Sequence, residues 1–187
     1  LYRIAIMLSG NGSNFQAIVE HFKNVKDIEV AMCISNKKDA YGIQRAKNLD
    51  VKYKIFELND FKTRQEQEKA ISETLSENKI DLVVLAGYML ILKFDLLEWS
   101  QRMINVHPSL LPKFPGKSAI KDTFYAGEQR GGITIHFVDS GVDTGEIIEQ
   151  VSIMIDRNKG IEKFEKQIHE LEWKYYPKII EKTIRSK

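Results

Sequence analysis

Tyr2-Arg-Ile-Ala-Ile-Met-Leu8, running directly into Ser9-Gly-Asn-Gly12, decides the class of fold. The first stretch is apolar at nearly every position, which suits a strand buried on both faces, and the glycines after it demand a tight turn. Phe15 to Phe22 then carries apolar residues at helical spacing. The same alternation recurs downstream. Ile28 to Ile34 reads as strand, Tyr41 to Leu49 as helix, Tyr53 to Phe56 as a short strand, Asp60 to Ser76 as helix and Leu82 to Ala86 as strand. Apolar strands alternating with amphipathic helices make parallel β-α-β units, so the expected fold class is α/β: a Rossmann-like, mostly parallel twisted sheet with flanking helices.

Beyond Leu92 the pattern changes. A short helix is expected over Phe94 to Trp99 and a strand over Met103 to Val106, followed by a stretch holding Pro108, Pro112 and Pro115. Proline lacks the amide donor and restricts the residue before it, so His107 to Gly116 is expected to be a shaped loop. A helix over Ala119 to Ala126, strands over Gly132 to Val138 and Ile147 to Ile155, and a long helix over Ile161 to Arg185 complete the reading. Pro177 is expected to kink or divide that last helix. No linker, repeat or low-complexity run interrupts residues 1–187, so one continuous domain is expected, with an N-terminal half of about 1–100 and a C-terminal half of about 101–187.

Composition excludes several functions. With 28 Lys and Arg against 26 Asp and Glu the net charge is only +2, too little to argue for nucleic acid. The single cysteine, Cys33, rules out a disulfide framework. A chain of this size can bury roughly 70% of its unfolded surface without such staples. The apolar run Leu82 to Leu92 is broken by Gly87 and is shorter than the ~20 residues a bilayer requires. No signal-peptide pattern is seen, and a cytoplasmic location is expected.

Ser9-Gly-Asn-Gly-Ser-Asn14 lies between the first strand and the first helix, where backbone amides and a helix N-terminus converge on an anion. Phe15 stands where a dinucleotide fingerprint would place a third glycine, and Ile34-Ser-Asn-Lys37 offers no carboxylate to a ribose, so NAD is disfavoured. A terminal phosphate fits better. The structural alternative is a plain glycine turn with Ser13 or Asn14 capping the helix. Farther on, Asn105 and His107 stand two residues apart on an extended segment and so project to one face. An amide donor beside an imidazole can hold an oxyanion while the imidazole moves a proton. Asp143, in the turn Asp139-Ser-Gly-Val-Asp-Thr-Gly145, is the candidate carboxylate partner, and Asp139 is expected to brace the turn or to receive a substrate hydrogen bond. His136 reads as a satisfied strand histidine that could line the same pocket, whereas His21 and His169 have no constellation around them. His107, His136 and Asp143 do not follow a recognised ligand spacing, and no metal is expected. Ser109 is poorly placed for a triad, so any nucleophile is expected to come from a substrate.

These stretches resemble the glycinamide ribonucleotide formyltransferases of purine biosynthesis. Ser9 to Ile18, Leu85 to Leu92, Asn105-Val-His-Pro-Ser-Leu-Leu-Pro112 and His136 to Gly145 look like that family's blocks, in its order and spacing. The resemblance implies transfer of a formyl group from 10-formyltetrahydrofolate to the amine of 5-phosphoribosylglycinamide, with Asn105, His107 and Asp143 as catalytic residues. It implies phosphate and ribose binding by Gly12, Ser13, Asn14 and Glu172. The folate pocket would comprise Arg64, Met89, Leu90, Ile91, Leu92 and Asn105 with the turn Asp139, Ser140, Gly141, Val142 and Asp143. Leu90 departs from the Arg of some members, and Glu146 from a frequent Pro. The implied partners are small molecules, with no nucleic acid and no membrane, and the protein is expected as a monomer or homodimer. Hydrolysis of formyl-folate by water, or a non-enzymatic phosphate-binding sensor, are the alternatives.

Overall fold

The computed structural model describes residues 1–186, which fall into two compact units, Leu1–Ile104 and the chain from Asn105 onward. In the first, β1 (Tyr2–Leu8), α1 (Ser13–Phe22), β2 (Ile28–Ser35), α2 (Tyr41–Asn48), β3 (Tyr53–Ile55), α3 (Arg64–Glu77) and β4 (Leu82–Leu85) alternate as read from the sequence. β1 pairs in parallel with β2 on one side and β4 on the other, and β2 pairs in parallel with β3. Ile4 to Leu8 are fully buried, which is why β1 needs apolar side chains on both faces. Phe15 and Ile18 of α1, and Ile71 and Leu75 of α3, are likewise fully buried. Each such side chain contributes roughly 1.5–3 kcal/mol of transfer free energy.

The chain leaves β1 toward β2 and β3, then returns to β4 on the other side of β1. That reversal opens a crevice at the C-terminal ends of β1 and β4, the place where open α/β sheets bind ligands. The turn after β1 and the irregular segment Ala86–Phe94 after β4 flank it. They are tied together, since Ser9 donates its amide to the Gly87 carbonyl at 3.0 Å and Ser9 Oγ accepts the Met89 amide at 2.8 Å.

β5 (Met103–His107) leads into the second unit, which holds α4 (Ala119–Tyr125), β6 (Arg130–Phe137), β7 (Ile147–Met154) and α5 (Gly160–Arg185). β6 and β7 pair antiparallel, and the seven strands follow the order β3-β2-β1-β4-β5-β6-β7 in a mostly parallel sheet. Ile133 and Ile135 of β6 and Phe164, Ile168, Tyr176 and Ile180 of α5 form the buried layer here. No helix among the described residues is long and apolar enough to cross a membrane.

Several boundaries differ from the sequence reading, each for a local reason. α3 starts at Arg64, after a 3-10 turn at Leu58–Asp60, because Thr63 Oγ1 caps it by accepting the Glu66 amide at 3.1 Å while Glu66 accepts the Lys62 amide. The sequence is that of a Thr-x-x-Glu capping box, with the Glu66 carboxylate taking the amide one residue ahead of the N-cap in place of the N-cap's own. The short helix before β5 is a 3-10 segment, Asp95–Arg102. His107 belongs to β5, so the proline loop begins one residue later than expected. Pro177 does not divide α5: it removes one amide from the ladder, but the buried stripe Tyr176, Pro177, Ile179 and Ile180 keeps the helix continuous.

Candidate active site

Asn105 and His107 alternate with Val106 on β5 and so share one face of the strand. His107 is 5% exposed, and both of its ring nitrogens face acceptors. Nε2 donates to the Phe114 carbonyl at 2.8 Å, and Nδ1 lies 3.3 Å from Asp143 Oδ2. Each ring nitrogen thus has an acceptor within reach, one on the proline loop and one on the turn after β6. The Phe114 carbonyl is aimed by the loop itself: Ser109, fully buried, donates its hydroxyl to Lys113 O at 2.6 Å and Phe114 O at 3.2 Å, and Phe114 sits at φ 54°. A serine hydroxyl committed to two carbonyls is no nucleophile, in line with the sequence reading. The outer face of this loop walls a separate cavity of about 610 Å³ to which none of the Asn105, His107 and Asp143 side chains contributes.

His136 on β6 is wired in the opposite sense. Its Nδ1 donates to the Phe137 carbonyl at 2.7 Å, which leaves Nε2 as a lone pair that accepts from Asn105 Nδ2 at 3.3 Å. Burial pushes its pKa down, outweighing the upward pull of the Phe137 carbonyl and Asp143, so the neutral tautomer is the one this environment favours. The sequence reading made His136 a satisfied strand histidine that could line the pocket. It is satisfied, and it also orients the Asn105 amide. β5 and β6 are neighbours in the sheet, and the contact between Asn105 and His136 joins them, which no spacing along the chain announces.

Asp143 is carried by the turn after β6 and stands at φ 57°. Its Oδ2 accepts the Gly116 amide at 2.9 Å in addition to facing His107, while Oδ1 lies 3.8 Å from His136 Nε2. One carboxylate thus ties the proline loop to both imidazoles. Asp139 braces the turn by accepting the Gly141 amide at 2.9 Å and the Thr144 hydroxyl at 2.7 Å. Gly145 is obligatory, since a Cβ there would stand 1.7 Å from the Phe137 carbonyl oxygen. Ser140, Gly141 and Val142 form the exposed tip.

In the first unit the glycine turn is organised by backbone. Gly12, at φ 76°, is the N-cap of α1, and no side chain caps the helix, so neither Ser13 nor Asn14 plays that role. A Cβ on Gly12 would come within 2.6 Å of Gly42 Cα, because the first turn of α2 lies directly against the loop and Gly42 donates its amide to the Gly10 carbonyl at 3.0 Å. Arg45 of α2 was not singled out in the sequence. Its guanidinium donates to Asn11 O at 2.9 Å and Asn11 Oδ1 at 2.8 Å and also reaches Gln16, adding positive charge beside an uncapped helix N-terminus.

Arg64 opens α3 and contacts the segment after β4, donating to the Ile91 carbonyl and pairing with Glu68 at 3.1 Å. Met89 and Ile91 are about half exposed there, at 52% and 51%, whereas Leu92 is buried and Leu90 is intermediate. In the second unit Glu172 is buried on α5, and His169 approaches it at 3.3 Å and stacks on Trp173. The sequence reading left His169 without a constellation; the helical turns before and after it supply one, through Glu165, Glu172 and Trp173. The hydrogen bond to Glu172 pushes the His169 pKa up. Among the described residues no three His, Cys, Asp or Glu side chains form a group that could hold a metal ion.

Residues 2–180 match the formyl transferase family. The chain belongs to the formyl transferase family. Within it, the chain is 41% identical over 184 residues to the phosphoribosylglycinamide formyltransferase of Bacillus subtilis, covering 97% of this chain and 94% of that one. The Haemophilus influenzae phosphoribosylglycinamide formyltransferase is 37% identical over 181 residues, 95% of this chain and 85% of its own. The crystal structure of phosphoribosylglycinamide formyltransferase from Streptococcus pneumoniae superposes with a TM-score of 0.92 at 43% identity, covering 98% of this chain and 99% of that one.

Proposed function

We propose that this formyl transferase moves the formyl group of 10-formyltetrahydrofolate to the amine of 5-phosphoribosylglycinamide, a step of purine biosynthesis, and that residues 1–187 work as a single catalytic domain. The observation that carries the reading is the gathering of Asn105, His107 and Asp143 from β5 and the turn after β6, with the amide oriented by one neutral imidazole and the second imidazole held between two acceptors.

In this reading the substrate amine attacks the formyl carbon, a tetrahedral oxyanion forms, and the bond from carbon to the folate nitrogen breaks. The amine gives up a proton and the folate nitrogen takes one. Formyl-folate supplies an activated one-carbon unit at the formic acid oxidation level. Asn105 Nδ2, anchored by His136, and the Nδ1–H of His107, the one that the Phe114 carbonyl does not hold, provide donors where negative charge develops. Because His107 Nε2 is committed to the Phe114 carbonyl, proton exchange runs on the Nδ1 side: the departing folate nitrogen takes its proton from His107 or through a water held by Asp143, and the proton the amine gives up returns to the same pair. Gly12, Ser13 and Asn14 bind the substrate phosphate through the open end of α1, and Glu172 binds the remainder of that substrate. Arg64, the segment Met89–Leu92 and the turn Asp139–Asp143 hold the folate, with backbone groups serving at Leu90. The substrates are diffusible small molecules, and the cytoplasm is the expected compartment.

The test is formyl transfer followed spectroscopically as tetrahydrofolate forms, with the phosphoribosyl amine supplied and withheld. Product only when the amine is present supports the transferase. Equal rates without it would make the protein a formyl-folate hydrolase, and amine binding with no turnover would make it a sensor.

A further inference from the structure

Glu68 is an acid with an unusual burden for a helix residue. It lies on α3, one turn beyond Arg64, and its side chain is 1% exposed. Both carboxylate oxygens are used. Oε1 accepts from Arg64 Nε at 3.1 Å and from the Lys93 amide at 3.2 Å, and Oε2 accepts from the Phe94 amide at 2.7 Å. Arg64 in turn donates to the Ile91 carbonyl. The segment after β4 has no helix or strand of its own between Ala86 and Phe94, so these bonds replace a backbone ladder. Its leading end is fixed by Ser9, through Gly87 and Met89. Its trailing end is fixed by the Arg64–Glu68 pair, through the Ile91 carbonyl and the Lys93 and Phe94 amides, so the half-exposed Met89 and Ile91 side chains rise from a backbone held at both ends.

We propose that Glu68 is a positioning residue for the formyl-folate: it stations the Arg64 guanidinium and pins the backbone of Ile91–Phe94, so that Met89–Leu92 present a fixed edge to the pteridine. The inference rests on the folate reading above and assigns Glu68 a task that is separate from the chemistry. A side chain this deeply buried does not touch ligand. It acts through Arg64 and two peptide amides, so its loss changes folate affinity and leaves the reacting groups in the second unit alone.

Glu68→Gln keeps the volume and one acceptor while turning an N–H₂ toward donors. The expected result is a KM for formyl-folate raised about 10-fold, a kcat within about threefold of wild type and an unchanged KM for the phosphoribosyl amine. Calorimetric titration with tetrahydrofolate should show the same weakening of Kd. Combining Glu68→Gln with Arg64→Met should cost less than the sum of the two, because both act on one unit. A folate KM and Kd within twofold of wild type, or a fall in kcat with both KM values unchanged, would overturn the proposal. Should the Gln variant be recovered unfolded, hydrogen exchange on the wild-type protein decides. Protection of the Lys93 and Phe94 amides without ligand, increased by tetrahydrofolate, supports the role, and exchange at the rate of open loop amides refutes it. Absence of tetrahydrofolate binding by the wild-type protein would instead remove the folate reading itself, and this proposal with it.

Discussion

The glycine turn after β1 and the imidazole cluster around β5 both stand at the C-terminal end of a strand, yet they are built from different materials. The turn uses peptide groups: Gly12 is the N-cap, no side chain completes it, and Gly42 and Arg45 support it from behind. The cluster uses side chains drawn from β5, β6 and the turn beyond, with Ser109 and Gly116 as supports. The contrast shows that a backbone site is encoded by what is absent, a Cβ, and a side-chain site by what meets across strands. Substitution should therefore injure the first by strain and the second by loss of chemistry.

The largest effect expected is in the cluster. Asn105→Ala or His107→Ala should lower kcat by about 100-fold or more while the circular dichroism spectrum stays that of wild type. Near-normal turnover in both variants would leave the cluster without a catalytic role. The matching change in the turn is Gly12→Ala, which forces a Cβ against Gly42 at a positive φ. A loss of stability of about 1–3 kcal/mol in urea unfolding is expected, with a raised KM for the phosphoribosyl amine. Gly10→Ala, where a Cβ meets nothing within 4 Å, is the control and should change neither. Similar behaviour of the two variants would break the distinction between strain and chemistry.

A smaller effect sharpens the account of the cluster. His136→Phe removes the acceptor that orients Asn105, and a fall in kcat of roughly 5- to 10-fold is expected, about the worth of one hydrogen bond. Full activity would show that Asn105 is held by other means.

The smallest effect is in the pH dependence of stability. His136 is held below the ordinary imidazole value of 6.5, so the unfolded chain binds its proton more readily, and stability is lost as pH falls below 6.5 toward the folded value. His169 is held above 6.5 by Glu172, so its contribution is present below 6.5 and is lost as pH rises through the folded value. Urea midpoints measured from about pH 5 to pH 8 should show opposite changes of slope when His136→Phe and His169→Asn are compared with wild type. Equal slopes in all three proteins would contradict both environments.

The fold was legible because β1 to β4 carry unbroken apolar runs and the helices between them carry apolar residues at helical spacing, patterns that local sequence expresses fully. Asn105 with His107 was legible for the same reason, since a two-residue spacing on a strand fixes a common face. Asp143 could be nominated only as a carboxylate in a glycine-flanked turn; its approach to His107 and Gly116 depends on how that turn folds back, which spacing does not encode. His136, Arg45 and Glu68 were harder still. Each acts through a contact with a residue distant in the chain, respectively Asn105, Asn11 and Phe94; His136 heads the block His136 to Gly145, which does not reveal that contact, and Arg45 and Glu68 were singled out by no motif. The start of α3 was present in Thr63-Arg-Gln-Glu66, although the helix was expected to run from Asp60. Pro177 misled because tertiary packing can hold a helix together through one missing bond.

Peptide amides have no proton to lose anywhere near neutrality, whereas imidazoles and carboxylates do. The end of α1 that Gly12 opens therefore keeps the same polarity at every pH a cell reaches, whereas His136, whose pKa burial holds down, changes charge once the medium turns acid enough. What the turn offers an anion is permanent, and what the cluster offers is conditional.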